Sequence, residues 1–184
     1  RIPTPADTCG AATSRFKHRL VTNIPRVTSL YGDMMRSLFG VDLNDFIQVG
    51  YDFSSLEAGI EAHYCWEYEE GTIKEYCKSL TQEKPNDVHT MMSVKISDLI
   101  NKDFSRGAAK GVKYGCTYGA QPAKVAKTIG SDLETGTSVF SAFWEAAKPL
   151  KLLKDALVQH WESNGKKFIR GLDGRKVPTR AEHA

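Results

Sequence analysis

Apolar and polar residues alternate with different periods in different parts of the chain. Residues 46–53 form a run of β-branched and aromatic side chains that predicts a buried strand. The Ser-x-x-Glu sequence at residues 54–57 follows at once, and it is typical of the first turn of a helix. Asp52 is therefore expected at the point where a strand passes into a helix.

The middle of the chain is predicted to be mainly helical. Residues of the kinds that begin helices mark three helix starts, at residues 85–87, at Ser105 and at residues 131–132. Leucines with helical spacing run from Leu150 onwards, and Pro149 is expected to break or kink the helix before them.

Strand signals return at the end of the chain. Residues 168–177 contain two short strand runs around Asp173 and Gly174, which is typical of a hairpin. Residues 1–25 are rich in Thr, Pro and Gly and predict extended or looping structure. The chain thus begins with strand-containing structure, continues with helices and ends with strands. This order indicates an α+β fold.

Composition allows a globular protein and excludes a membrane-spanning one. The chain has 184 residues, of which 41% are hydrophobic, and no apolar run approaches the roughly 20 residues that a membrane helix needs. We expect a cytoplasmic protein without membrane contact. A formal net charge of +3 does not by itself indicate nucleic-acid binding. The four cysteines lack close pairs and are expected as free thiols.

Two cations and two aromatic rings share one side of the helix that is predicted to begin after Ser105. They are Arg106, Lys110, Tyr114 and Tyr118, and each step of four residues turns by about 40°. Cations can hold a phosphate chain, and a flat ring can pack on a base or a sugar. This face is a candidate site for a nucleoside triphosphate. The alternative interpretation is a basic surface helix whose tyrosines pack in the core, which would have the same spacing.

Residues 106–119 read Arg-x-x-x-Lys-x-x-x-Tyr-Gly-x-x-Tyr-Gly, which resembles the fingers-helix motif of A-family DNA polymerases. Residues 13–25 and 171–177 make the resemblance greatest to the phage-type enzymes of that family. The resemblance implies that Arg106 and Lys110 bind the incoming triphosphate and that Lys110 takes part in catalysis. It implies that Tyr114 packs near the sugar. Tyr118 and Gly119 are implied to lie where the templating base enters.

Residues 51–57 resemble the first palm motif of the same family, Asp-x-Ser-x-x-Glu. The resemblance implies that Asp52 bridges two Mg²⁺ ions, for which hard oxygen ligands are suited, and that the main-chain carbonyl of Phe53 is a further ligand. It also implies that Glu57 excludes a 2′-hydroxyl and so selects deoxynucleotides. An aspartate at a strand end is also a common turn residue, and the helix start already explains Glu57.

Other elements extend the resemblance over nearly the whole chain. Residues 87–89 are similar to the family's Asp-Ile-His element, which implies that His89 contacts the triphosphate. Residues 13–15 and 23–25 are similar to its Thr-Gly-Arg and Asn-Ile-Pro elements. The DNA-contacting residues implied there are Thr13, Arg15 and Asn23.

The resemblance divides the chain into a palm segment at 1–66, a fingers lobe at 67–165 and a return hairpin towards the palm at 166–184. The fold expected is part of a palm β-sheet with an inserted, mainly helical fingers lobe. Gly59 departs from the family, which commonly carries an arginine there. The family's second metal-binding carboxylate comes from a later His-Asp hairpin that does not occur before Ala184. We expect an internal fragment that does not polymerise alone.

The function expected of the intact protein is template-directed DNA synthesis in phage replication, with primer-template DNA and deoxynucleoside triphosphates as partners, in the host cytoplasm. The sequence does not indicate whether a processivity factor binds. A single-subunit RNA polymerase and a non-catalytic nucleic-acid-binding helical module are the alternatives. A zinc site built from His63, Cys65, Cys77 and His89 matches the usual ligand spacing poorly.

Overall fold

The computed structural model describes most of the chain. The described residues are 3, 5–8, 10–11, 15–19, 24–40, 47, 49–171 and 173–179. Cys9 and the predicted DNA-contacting residues Thr13 and Asn23 lie outside them.

Helices dominate the described residues. They are α1 (Gly32–Ser37), α2 (Leu56–Cys65), α3 (Glu75–Thr81), α4 (Val88–Ile100), α5 (Arg106–Thr117), α6 (Pro122–Ile129), α7 (Leu133–Ala146) and α8 (Lys148–Ser163). The strands are β1 (Ala6–Asp7), β2 (Lys17–His18), β3 (Phe168–Arg170) and β4 (Lys176–Pro178). The predicted α+β class is confirmed, whereas its division into palm and fingers stays a prediction.

The three predicted helix starts are confirmed, each within the residues expected. Asp87, Ser105 and Asp132 are the N-caps of α4, α5 and α7. The Ser105 hydroxyl accepts a hydrogen bond from the Ala108 N–H at 3.1 Å. The Asp132 carboxylate accepts one from the Thr135 N–H at 2.7 Å. The chain also breaks before Pro149, as predicted, because α7 ends at Ala146 and α8 begins at Lys148.

The chain divides into two compact units, and the larger one is Phe53–His160. Within it α2 packs chiefly on α3, α4 packs on α5 and α7, and α6 packs on α5 and α7. The core is apolar, and its largest fully buried side chains include Tyr76, Met92, Ile96 and Phe143. None of the helices in the described ranges combines the length and the apolar content that crossing a membrane requires.

Three cysteines lie in this core as free thiols, as predicted: Cys65, Cys77 and Cys116. Burial raises the pKa of the Cys65 and Cys77 thiols to about 12 and that of Cys116 to about 11. These thiols stay protonated at neutral pH, so they are unreactive.

The second unit comprises Arg1–Asp52 and Trp161–Ala184. Strands β1 and β2 pair antiparallel, as do β3 and β4. The β3–β4 pair is the hairpin predicted at residues 168–177, and Gly174 in its turn has a φ of 75°, which favours glycine. The Trp161 indole donates a hydrogen bond to the Thr179 hydroxyl at 2.5 Å and so links the end of α8 to the residue that follows β4.

The buried strand predicted at residues 46–53 is wrong for the residues described there. Ile47 is 89% exposed and Tyr51 is 91% exposed, and neither belongs to a strand. β-branched and aromatic residues form a buried strand when neighbouring strands supply hydrogen bonds and apolar cover. No strand in the described part of the chain pairs with this segment.

Candidate functional site

A cleft of about 1010 Å³ lies within the unit Phe53–His160. It gathers predicted site residues from three separate segments: the start of α2, the start of α4, and α5 with its C-cap. The predicted residues that line it are Phe53, Glu57, His89, Arg106, Lys110, Tyr114 and Tyr118. The predicted nucleotide-binding set is therefore assembled in one place.

Helix α5 presents opposite faces to the core and to the cleft. Ala109, Val112 and Cys116 are buried in the core at 2% exposure or less. Tyr114 is 45% exposed and Tyr118 is 72% exposed. The two tyrosines do not pack in the core, so the interpretation of α5 as a basic helix with buried tyrosines is wrong.

Arg106 is held in place by Asp87, the N-cap of α4. Its Nε donates to Asp87 Oδ1 at 3.2 Å and its Nη2 donates to Oδ2 at 2.5 Å. The Thr90 hydroxyl donates to Oδ1 at 2.6 Å. Hydrogen bonding from Arg106, reinforced by Thr90, holds the pKa of Asp87 well below its usual range although burial opposes this.

This ion pair leaves one edge of the Arg106 guanidinium available for a phosphate. A guanidinium carries five N–H donors, and Asp87 takes donors from Nε and Nη2. The Lys110 ammonium, one turn further along α5, is exposed and makes no ion pair with another described residue. Asp87 was not predicted as a site residue, because its pairing with Arg106 depends on how α4 packs against α5.

His89 lies beside the same cations. Its Nδ1 is buried without a hydrogen-bond partner among the described residues, and its ring centroid is 5.8 Å from that of Tyr114. Burial lowers the pKa of His89, and nearby cations such as Lys113 and Arg106 lower it further, against the opposite effect of Asp87. The lowered pKa favours the neutral imidazole at pH 7.

Glu57 faces α5 across the cleft. The Tyr118 hydroxyl donates to Glu57 Oε2 at 3.0 Å.

The predicted Ser-x-x-Glu helix start is displaced by one residue, because α2 begins at Leu56 with Ser55 as its N-cap. Ser55 has a left-handed φ of 52° and makes no side-chain cap bond, since such a bond needs an extended backbone at that position.

Other predicted site residues lie outside this group. Asp52 belongs to the unit Arg1–Asp52 with Trp161–Ala184, is exposed, and has no ion pair or hydrogen bond of its carboxylate with a described residue. Arg15 is exposed, and its carbonyl accepts the Ala11 N–H at 3.1 Å. Gly119 follows the C-cap of α5 with a φ of 87°.

Residues that could hold a metal are few in the described ranges. No group of three or more His, Cys, Asp or Glu side chains there is arranged to bind an ion. The Asp52 carboxylate and the Phe53 carbonyl are hard oxygen donors, which fit Mg²⁺ rather than a soft transition metal.

Comparisons with known proteins agree on one family. The model of DNA polymerase family A matches residues 1–182. A DNA-directed DNA polymerase of Escherichia phage T7 is 29% identical over 196 residues, which cover 95% of this chain and 26% of that protein. The DNA-directed DNA polymerase of Enterobacteria phage T3 gives the same values.

A more distant relative, the DNA-directed DNA polymerase of Escherichia phage Phieco32, is 24% identical over 252 residues. The match covers 99% of this chain and 40% of that protein. The chain thus spans about a quarter of the length of the T7 and T3 proteins.

Proposed function

Because the chain belongs to DNA polymerase family A, we propose that it forms the nucleotide-binding part of a phage-type DNA polymerase. The reaction of the intact protein is transfer of a deoxynucleotide to a primer 3′-hydroxyl, directed by a DNA template in the host cytoplasm. The observation that supports this best is the cleft, in which seven predicted residues from three segments line one space.

The positive side of the cleft binds the triphosphate. Arg106, oriented by Asp87, offers the remaining edge of its guanidinium to a phosphate oxygen. Lys110 adds a point charge one turn further along α5, and the His89 ring lies beside these cations to contact the triphosphate. Arg106 and Lys110 neutralise charge that develops on the leaving pyrophosphate, and Lys110 is the residue placed to assist its departure.

Other residues of the cleft select the sugar and receive the template. Tyr114 packs near the sugar, and Glu57 occupies the space that a 2′-hydroxyl needs. Tyr118 and Gly119, at the end of α5, lie where the templating base enters. Thr13, Arg15 and Asn23 contact the primer-template DNA. In this proposal residues 1–66 belong to the palm, 67–165 to the fingers and 166–184 to the return hairpin.

Asp52 and the main-chain carbonyl of Phe53 would hold Mg²⁺. Such ions would supply Lewis-acid stabilisation of the reacting phosphate oxygens. No cation or hydrogen-bond donor among the described residues contacts the Asp52 carboxylate. Asp52 directly precedes Phe53 in the sequence, and Phe53 is the first residue that lines the cleft. The matching family does not favour the single-subunit RNA polymerase or the non-catalytic binding module.

Substitution of Asp52 tests the proposal. In the intact protein that carries this chain, Asp52→Ala should abolish primer extension and leave binding of primer-template DNA within a few-fold of the unmodified protein. Asp98→Ala, which removes an exposed carboxylate of α4 outside the cleft, is the matched control and should extend normally. Near-normal extension by Asp52→Ala would show that the metal assignment is wrong.

A further inference from the structure

A buried polar contact joins α2 and α5 behind the cleft. Lys113 Nζ donates to Glu61 Oε2 at 2.8 Å, and the two side chains are 5% and 12% exposed. The Tyr76 hydroxyl, from α3, donates to Glu61 Oε1 at 2.5 Å. Both oxygens of one buried carboxylate are therefore occupied, one by α5 and the other by α3.

The buried pair is a poor way to gain stability. Removing two charges from water costs several kcal/mol for each ion, and well-packed apolar residues often stabilise such a site as well or better. What a buried pair adds is a fixed geometry, because each charge accepts few other partners. Here the geometry concerns α2 and α5, which otherwise pack mainly on other helices: α2 on α3, and α5 on α4 and α6.

The same two helices meet a second time at the surface of the cleft. Glu57 lies four residues before Glu61, so both carboxylates project from one side of α2. Glu57 accepts the Tyr118 hydroxyl, and Glu61 accepts the Lys113 ammonium. The outer contact is exposed, so water competes for both of its groups, whereas the inner contact is shielded from water.

We propose that the buried Glu61–Lys113 pair is a positioning device that sets Glu57 against Tyr118 and thereby determines how strongly ribonucleotides are rejected. The inference rests on the proposed function, in which Glu57 occupies the space of a 2′-hydroxyl. Tyr76 belongs to the device because it holds the second Glu61 oxygen and so fixes the rotation of that carboxylate.

The test measures kcat/KM for a deoxynucleotide and for its ribonucleotide in the intact protein, together with the melting temperature. Lys113→Met leaves a buried carboxylate without its cation and should lower the melting temperature by about 10 °C. The double variant Glu61→Gln/Lys113→Met removes both charges and keeps an acceptor for the Tyr76 hydroxyl. Its melting temperature should therefore return most of the way to that of the unmodified protein. Discrimination between the two sugars should nevertheless fall about tenfold in both variants.

Two controls separate positioning from general stability. Lys95→Met removes an exposed ion pair with Glu75 and should change neither the melting temperature nor the discrimination. Tyr118→Phe removes the outer contact, and in that background the neutral double variant should cause no further loss of discrimination, because both act through the same Glu57.

Wild-type discrimination in the neutral double variant would overturn the inference, and so would additive effects of the double variant and Tyr118→Phe. If the unmodified protein does not extend a primer, both the proposed function and this inference are wrong. Normal extension with an unaltered sugar ratio in the double variant overturns the inference alone.

Discussion

Gly136 of α7 packs tightly against Ala126 of α6. The glycine is buried, and a Cβ added there would lie 2.5 Å from the Cβ of Ala126 and 2.8 Å from its Cα and N. Carbon atoms in contact normally stay about 3.5–4.0 Å apart. Gly136→Ala therefore requires the two helices to separate by about 1 Å at this crossing.

Two opposing effects decide the sign of this substitution. Alanine is favoured over glycine inside a helix by about 1 kcal/mol. Overpacking a tight interior costs about 1–3 kcal/mol, and the upper part of that range applies because backbone atoms of Ala126 cannot rotate out of the way. We expect Gly136→Ala to lower the free energy of unfolding by about 2 kcal/mol, since overpacking outweighs propensity.

Gly59 provides the matched control. It lies inside α2, and an added Cβ would meet no atom within 4 Å. The higher helix propensity of alanine is the effect expected at this position, since the added methyl group meets no steric clash. Gly59→Ala should therefore raise the free energy of unfolding by about 0.5–1 kcal/mol. Urea unfolding followed by circular dichroism measures both variants, with the midpoint moving at constant slope. An equal gain in stability from both substitutions would refute the packing argument for α6 and α7.

Two further predictions concern α5 and the start of α4. Ser105→Ala removes the side-chain cap of α5 and should cost about 1 kcal/mol in urea unfolding, whereas Ser105→Asp should cost little; an unaffected Ser105→Ala would contradict the capping role. The pKa of His89 is lowered in the folded protein from its ordinary 6.5, so the unfolded chain binds this proton more readily. The stability from neutral His89 is present above pH 6.5 and is lost as pH falls below it, and His89→Phe should weaken that pH dependence. An unaltered pH profile in His89→Phe would contradict the assignment.

Local sequence rules predicted several helix starts. The starts at Ser105 and Asp132 follow from side chains that bond to an N–H of the first turn three residues away, and nothing distant is needed for that. Spacing also predicted that Arg106 and Lys110 share one side of α5, because they lie one turn apart on any α-helix, but it did not decide whether that side faces a cleft.

The contacts that arrange the cleft could not be predicted in this way. Asp87 pairs with Arg106 across 19 residues, and Glu61 pairs with Lys113 across 52. Both pairs depend on how helices pack, which the period of apolar residues does not encode. The strand predicted at residues 46–53 failed for a related reason, since strand propensity depends on neighbours that supply hydrogen bonds and cover.

The central claim is that the cleft face of α5 binds the triphosphate of an incoming nucleotide. Single-nucleotide primer extension by the intact protein tests it most directly, with Lys110→Ala compared with Lys124→Ala, an exposed lysine of α6 outside the cleft. We predict that Lys110→Ala lowers kcat/KM for the deoxynucleotide by about 100-fold or more, as loss of a charge-stabilising group does, while Lys124→Ala stays near the unmodified value. Equal kcat/KM values for the two variants would contradict the account.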